Sequence, residues 1–313
     1  MSLTARLSIS ARELIHRSRL PVYRRLRWAI AIYTGSSPLD LQPADGGPCP
    51  VLTADDVTDV EAGFVADPFM LHDGSTWCMF FEVWNHRAHR GSVGLAESSD
   101  GLHWTYRRIV LDEPFHLSYP HVFEWNGGFY MIPESHQAEV VRLYQATDWP
   151  TRWEPRADLL DGCFVDSSVW QFNDSWWMLA FDKRCEVLRL FRADGPAGPW
   201  LEHPKSPLAA DGLRFGRPGG RVVVWGGRLI RFAQDTRFYY GNAVHALEIT
   251  RLTDADYQEE EMQEEPVIGC SGHGWNARGM HHIDCHRVGG RQWMACVDGC
   301  RRTVHLGNPE GRR

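Results

Sequence analysis

No stretch of this sequence approaches the ~20 consecutive apolar residues that a membrane-spanning helix needs, which argues against a helical span. The first residues also lack the apolar core of roughly 7 to 15 residues that marks a secretory signal, so the cytoplasm is the expected compartment. No run of Ser, Gly or Pro interrupts the middle of the 313 residues as a linker would. The length exceeds the usual size of a single core, so one large repetitive domain is expected. Cysteines occur at positions 49, 78, 163, 185, 270, 285, 296 and 300, and the spacing of Cys296 and Cys300 has no second C-x₂₋₄-C knuckle to pair with as in a structural zinc site. They read as mostly reduced core thiols. "GRPGG" at Gly216 is followed by no Walker lysine, so it is not a phosphate loop.

Against these absences, 43% of the residues are apolar, 23% are charged, and tryptophan is frequent at 14. That composition can fill a core and disfavours disorder. The net charge of −7 is unevenly spread: residues 1–27 carry seven arginines against Glu13, leaving −13 on the remainder. Leu7, Ala11, Leu14, Ile15 and Leu20 fall at roughly helical spacing until Pro21. Residues 1–27 are therefore expected to be a basic, partly helical arm. It could touch the inner face of an acidic membrane, although its short apolar face favours a solvated arm.

Five segments repeat one pattern: "ADPFMLHDGSTWCMFFE" from Ala66, "SYPHVFEWNGGFYMIPE" from Ser118, "VDSSVWQFNDSWWMLAFD" from Val165, "GRPGGRVVVWGGRLIRFAQ" from Gly216 and "GMHHIDCHRVGGRQWMACVD" from Gly279. Each places a polar residue before a short apolar run, a tight turn and a second run, as a β-hairpin does. A third run and a tryptophan follow in three of them, and Trp104, Trp153 and Trp200 stand 49 and 47 residues apart. A period near 50 residues with about four strands per unit predicts an all-β, five-bladed propeller. Blades are expected at about 63–115, 116–162, 163–212, 213–268 and 274–307 within a single domain of residues 28–313. The strand-like 28–33 is expected to close the last blade beside Arg302–Leu306 and remove an exposed edge. The acidic run Asp254–Pro266 reads as a solvated excursion of the fourth blade.

The register gathers particular side chains. Inner strands start at Asp67, Tyr119, Asp166, Arg217 and the pair His281 and His282; second strands end at Glu82, Glu134, Asp182, Gln234 and Asp298. In a propeller both sets face one mouth. Carboxylates, His121 and arginine there can bond hydroxyls, and indoles such as Trp84, Trp125, Trp170 and Trp275 can cover sugar C–H faces, which suits a polyhydroxylated ligand. Polar strand ends that merely meet solvent are the bland alternative, but the convergence of Asp67, Glu134 and Asp166 argues against it.

"ADP" in the first blade and "VDSS" in the third resemble the five-bladed propellers of glycoside hydrolase family 43. The motifs "FVADPFM", "HLSYPHVFEW", "YMIPES", "RPGG", "GWNARGMHHID" and "WMACVDG" resemble more closely the propeller N-terminal in plant glucosamine inositolphosphorylceramide transferases, over about Trp28 to Gly299. The first resemblance implies Asp67 as base or nucleophile and Asp166 as the carboxylate that tunes and positions. It gives no general acid, because the fourth blade carries Arg217 where that family has Glu. Glu134, with Glu82 beside it, fills the gap from the repeat register alone. The second resemblance implies that a separate domain performs transfer, so that the propeller could only bind glycan.

The leading expectation is therefore an enzyme acting at an anomeric centre of a sugar, nucleotide sugar or glycoconjugate, by hydrolysis or transfer, with Asp67, Glu134 and Asp166 as its catalytic carboxylates. The alternative is a glycan-binding propeller that positions a partner glycosyltransferase; a protein-interaction propeller has less need of carboxylates at its mouth. No nucleic acid, cofactor or catalytic metal is expected. His273, His281, His282 and Asp284 could ligate a cation, yet adjacent histidines on one strand point to opposite faces.

Overall fold

The computed structural model describes residues 22–208, 212–290 and 292–306. Among them the only helical elements are three single 3₁₀ turns, and the rest of the regular structure is strand. Five antiparallel sheets form five blades of about four strands each. Blade one comprises Ala62–His72, Trp77–Asn85, Arg90–Ser98 and Thr105–Leu111. Blade two comprises Ser118–Trp125, Gly128–Glu134, Val140–Asp148 and Arg152–Asp161, and blade three runs from Phe164–Phe172 to Leu201–Glu202. Blade four is built on Arg228–Asp235, and blade five joins Ile283–Arg287 and Trp293–Leu306 to Val22–Ser37 and Asp40–Pro43.

The turns explain why these short runs fold back. Asn126 and Gly127, Asn173 and Asp174, and Gly226 and Gly227 all have positive φ, and each pair is the entire loop between paired strands. Two successive positive φ values match the right-handed twist of the flanking strands. The repeated tryptophans share one role: the indole N–H groups of Trp104, Trp153 and Trp200 donate to the carbonyls of Gly101, Pro150 and Pro196. All three are buried, so each indole fastens the turn ahead of the outer strand while filling the blade. The apolar core lies between blades. One cluster each joins blades one and two, two and three, three and four, four and five, and five and one.

Three features differ from expectation. The N-terminal strand begins at Val22 and reaches Ser37, so Val22–Arg27 is strand and not arm; residues 1–21 lie outside the described residues. Its register also shifts: Trp28 pairs with Cys300 and Tyr33 with Ala295, whereas Leu26 faces Arg302 and Val22 faces Leu306. Cross-strand hydrogen bonds along a neighbouring strand explain why arginine-rich residues extend the sheet despite poor apolar alternation. Second, Tyr257–Glu261 within the acidic run is the outer strand of blade four. Glu259 receives both Nε and Nη2 of the fully buried Arg231, at 2.5 and 2.6 Å. A buried guanidinium requires such a partner. Third, all eight cysteines are free, but only Cys78, Cys285, Cys296 and Cys300 are buried; Cys49, Cys185 and Cys270 are exposed.

Candidate active site at the propeller mouth

The inner strands of the first three blades share a kink. Asp67, Tyr119 and Asp166 have φ of 52°, 44° and 53°, and the strand register slips beside each of them. These are β-bulges with a non-glycine residue in the left-handed region, a conformation that costs of order 1 to 3 kcal/mol and persists where surroundings enforce it. In blades one and three the bulge turns a carboxylate into a cavity of about 340 Å³. Four blades line that cavity: Phe64, Asp67, Glu82 and Trp84; His116, Ser118, Glu134 and His136; Val165, Asp166, Phe181 and Lys183; and Arg217 with Tyr240. Asp67, Glu82, Glu134 and Asp166 are all buried.

The surroundings divide the protons unequally among these four. Asp67 is pushed up to about 7 by burial and by the carboxylates of Asp298, Asp166 and Glu134, against the opposing pull of His281. Glu82 is raised well above the usual carboxylate range by burial and then by Asp67. Burial likewise brings Asp166 to about 6, although Arg217 lowers it. Burial alone would raise Glu134 as well, but the His136 hydrogen bond and the Arg217 charge outweigh it, and its pKa falls below the ordinary value. Two physical forces thus oppose each other at each carboxyl, and different neighbours decide the outcome.

The hydrogen bonds agree. His136 Nδ1 lies 2.6 Å from Glu134 Oε1, and Lys183 Nζ lies 3.0 Å from His136 Nε2. The ammonium can only donate, so Nε2 accepts and Nδ1–H donates to Glu134. Gly91 N–H donates to His116 Nδ1 over 2.8 Å, which leaves the Nε2–H of His116 directed at Glu82, 3.7 Å away. Arg217 Nε is 2.7 Å from Asp166 Oδ2, and Gln234 Nε2 reaches the same oxygen at 3.1 Å. His281 holds Nδ1 2.8 Å from Asp298 and Nε2 2.9 Å from the Tyr240 hydroxyl and 3.6 Å from Asp67.

Several residues expected at the mouth lie elsewhere. Tyr119 is fully buried, and its hydroxyl meets Ser168 Oγ at 2.8 Å, which itself donates to the Gly220 carbonyl. His121 and His282 flank Phe69 deeper in the ring, at centroid distances of 4.7 and 4.6 Å. Asp298 accepts from the backbone N–H groups of Asp67, His281 and His282 and anchors the fifth blade against the first. Asp182 caps the next turn through the N–H groups of Arg184 and Cys185, away from the cavity. Trp170 belongs to the core between blades three and four, and Trp275 packs on that between four and five. Gln234 touches the site only through Asp166. Conversely, His116, His136, Lys183, Phe64 and Tyr240 line the cavity without having been anticipated. Lys183 alone carried a signal, since it directly follows a second-strand end.

Ligand atoms of Asp67, His281 and Asp298 lie within 4.8 Å of one another, a spacing open to a cation. The donors of His281 and of the backbone already occupy Asp298, which accounts for the cluster as a hydrogen-bonded group.

Fold and mouth together define a five-bladed propeller with four buried carboxyl groups of unlike protonation around one opening. The family described as "Glucosamine inositolphosphorylceramide transferase 1, N-terminal" matches residues 25–300, and the chain belongs to that family. Curated relatives named glucosamine inositolphosphorylceramide transferase 1 are similar to it as well. The one from Oryza sativa subsp. japonica is 36% identical over 301 residues, covering 88% of this chain and 40% of the relative. That from Arabidopsis thaliana is 31% identical over 299 residues, covering 88% and 39%. The chain therefore spans about two fifths of the length of these relatives. Among solved structures, the catalytic domain of the Coprinopsis cinerea GH62 α-L-arabinofuranosidase superposes with a TM-score of 0.57 at 12% identity, covering 87% of this chain and 96% of that one. An exo-β-1,3-galactanase from Clostridium thermocellum gives 0.55 at 13% identity, covering 67% and 51%. At such identities the likeness is one of fold.

Proposed function

We propose that this chain acts at the anomeric centre of a sugar or glycoconjugate, by hydrolysis or glycosyl transfer. The observation that carries the reading is the convergence of four buried carboxyl groups, Asp67, Glu82, Glu134 and Asp166, on one cavity, where their neighbours raise Glu82 well above the usual carboxylate range and lower Glu134 below it. Cleaving a glycosidic bond needs an acid for the leaving oxygen and a base or nucleophile for the incoming group. Glu82 supplies the proton as the bond from the anomeric carbon to the leaving oxygen breaks. Asp67, near 7, accepts the proton of an attacking water or hydroxyl, or attacks the carbon itself. Asp166, locked by Arg217, positions a hydroxyl. Glu134, the acid expected from the repeat register, instead serves as a fixed negative charge because His136 and Arg217 keep it ionised. The stacked rings of Phe64 and Trp84, 5.8 Å apart, offer an apolar face to a sugar ring.

A second reading is favoured by the coverage of the relatives: a propeller matching two fifths of a longer transferase could bind the glycan and position a separate catalytic domain. One comparison separates the two. Asp67→Asn keeps shape and should lower turnover of aryl glycosides or nucleotide-sugar donors by ~10² to 10⁴ with little change in calorimetric glycan affinity. Unchanged turnover in that variant would eliminate the catalytic reading.

A further inference from the structure

Beside the carboxylate cavity lies a second opening of about 440 Å³ with the opposite chemistry, lined by Arg25, Leu26, Tyr239, Tyr240, Arg278 and Arg302. Three guanidinium-bearing residues reach it from three separate parts of the chain, and among the described residues no carboxylate lines it. In a chain of net charge −7 that is a local reversal of sign. The placement is held by backbone: Leu26 pairs across the ribbon with Arg302, and Arg278 N–H donates to the Cys300 carbonyl at 2.8 Å. The Arg278 guanidinium is further seated over the Tyr239 ring, 4.1 Å from its centroid. Both openings share Tyr240 as a wall, and the hydroxyl of Tyr240 touches His281 next to Asp67.

We propose that this opening is an anion subsite that takes a phosphate group attached to the sugar bound in the carboxylate cavity. Guanidinium forks match phosphate oxygens in pairs. The two cavities divide a phosphorylated glycan by charge, since the ionised Glu134 repels the phosphate and the arginine wall attracts it. Tyr240 stands at the junction and would contact both parts. The sugar half of this assignment rests on the function proposed above; the phosphate half does not.

The test is binding by the full chain, scored without turnover. Probes are inorganic phosphate in calorimetry and phosphatidylcholine vesicles with and without phosphatidylglycerol in sedimentation, compared for wild type, Arg278→Gln/Arg302→Gln and Arg278→Lys/Arg302→Lys. The wild type should bind phosphate, phosphatidylglycerol vesicles or both, more weakly as salt rises. The Gln pair should lose at least tenfold in affinity at an unchanged melting temperature, and the Lys pair should retain most of it. Phosphate binding alone assigns a soluble phosphate ester as the source, and vesicle binding alone assigns a lipid headgroup. A wild type that binds neither probe, or a Gln pair that binds as the wild type does, overturns the subsite. Because phosphate binding is read in the absence of catalysis, loss of the enzymatic reading through Asp67→Asn leaves this result intact.

Discussion

Arg217 of the fourth blade clasps Asp166 of the third, with Nε 2.7 Å from Oδ2, across the rim of the carboxylate cavity. The arginine occupies the blade from which a catalytic acid was missing, and it converts that position from a proton donor into a clamp. Arg217→Met should leave Asp166 buried without its counter-charge and cost roughly 3 to 5 kcal/mol of stability. The loss should be larger at pH 8 than at pH 5, since Asp166 protonates in its absence, and adding Asp166→Asn should recover much of it. Urea melts of the three variants at both pH values measure this; additive losses would show that the pair is not coupled.

The assignment of acid and base predicts how variants respond to the leaving group. Glu82→Gln should slow hydrolysis of substrates with poor leaving groups by ~10² or more, yet hardly affect activated aryl glycosides, which depart without a proton. Glu134→Gln should show no such dependence. Turnover of the wild type should climb as pH rises through about 7, where Asp67 loses its proton. The reverse pattern for Glu82 and Glu134 would return the acid role to Glu134.

Stability carries the same signature. Asp67 has a folded-state pKa raised to about 7 from an ordinary carboxylate value, so the folded protein binds the extra proton between about pH 4 and 7. Its contribution is fully present below that window and is lost as pH rises through it, on the order of 4 kcal/mol in all. Asp67→Asn removes this dependence. The melting temperature of the variant minus that of the wild type should therefore increase from pH 4 to pH 7.5; calorimetric scans giving a constant difference would contradict the raised pKa.

Gly91 is fixed by proximity. A β-carbon there would stand 2.2 Å from the Leu117 carbonyl oxygen and 2.8 Å from Glu82 Oε1. Gly91→Ala should cost about 1 to 3 kcal/mol and displace both His116 and Glu82, weakening glycan affinity. Gly46 provides a control, because it has φ of +84° but nothing within 4 Å of an added carbon. Gly46→Ala should cost about 1 to 2 kcal/mol of backbone strain and leave affinity alone. Equal loss of affinity in both would attribute the effect to global softening.

The five hairpins were legible because turn pairs such as Asn126 and Gly127 and the spaced tryptophans Trp104, Trp153 and Trp200 recur with the blade. Asp67, Glu82, Glu134, Asp166 and Arg217 followed from the same register. What register could not convey was direction after a bulge. Tyr119 occupies the position equivalent to Asp67, yet its long side chain runs inward to Ser168. The histidines at 116 and 136 and Tyr240 sit on connections whose paths obey no repeat. Glu259 read as solvated because its partner, Arg231, lies 28 residues away on another strand.

The pairing of Val22–Ser37 with Trp293–Leu306 joins the beginning of the described chain to its end over fourteen residue pairs. During synthesis, therefore, the first of these strands emerges long before its partner exists. Four blades can form in order behind it, each from contiguous chain, while the sixteen-residue strand has only Asp40–Pro43 to pair with, along Tyr33–Ser37, and its other edge waits open. The fifth sheet is the one with the greatest sequence separation and hence the slowest to close. Until it does, the apolar seams that blades one and four present to it stay open to water and to other copies of the chain, so the propeller is most exposed to misassembly just before its ring closes.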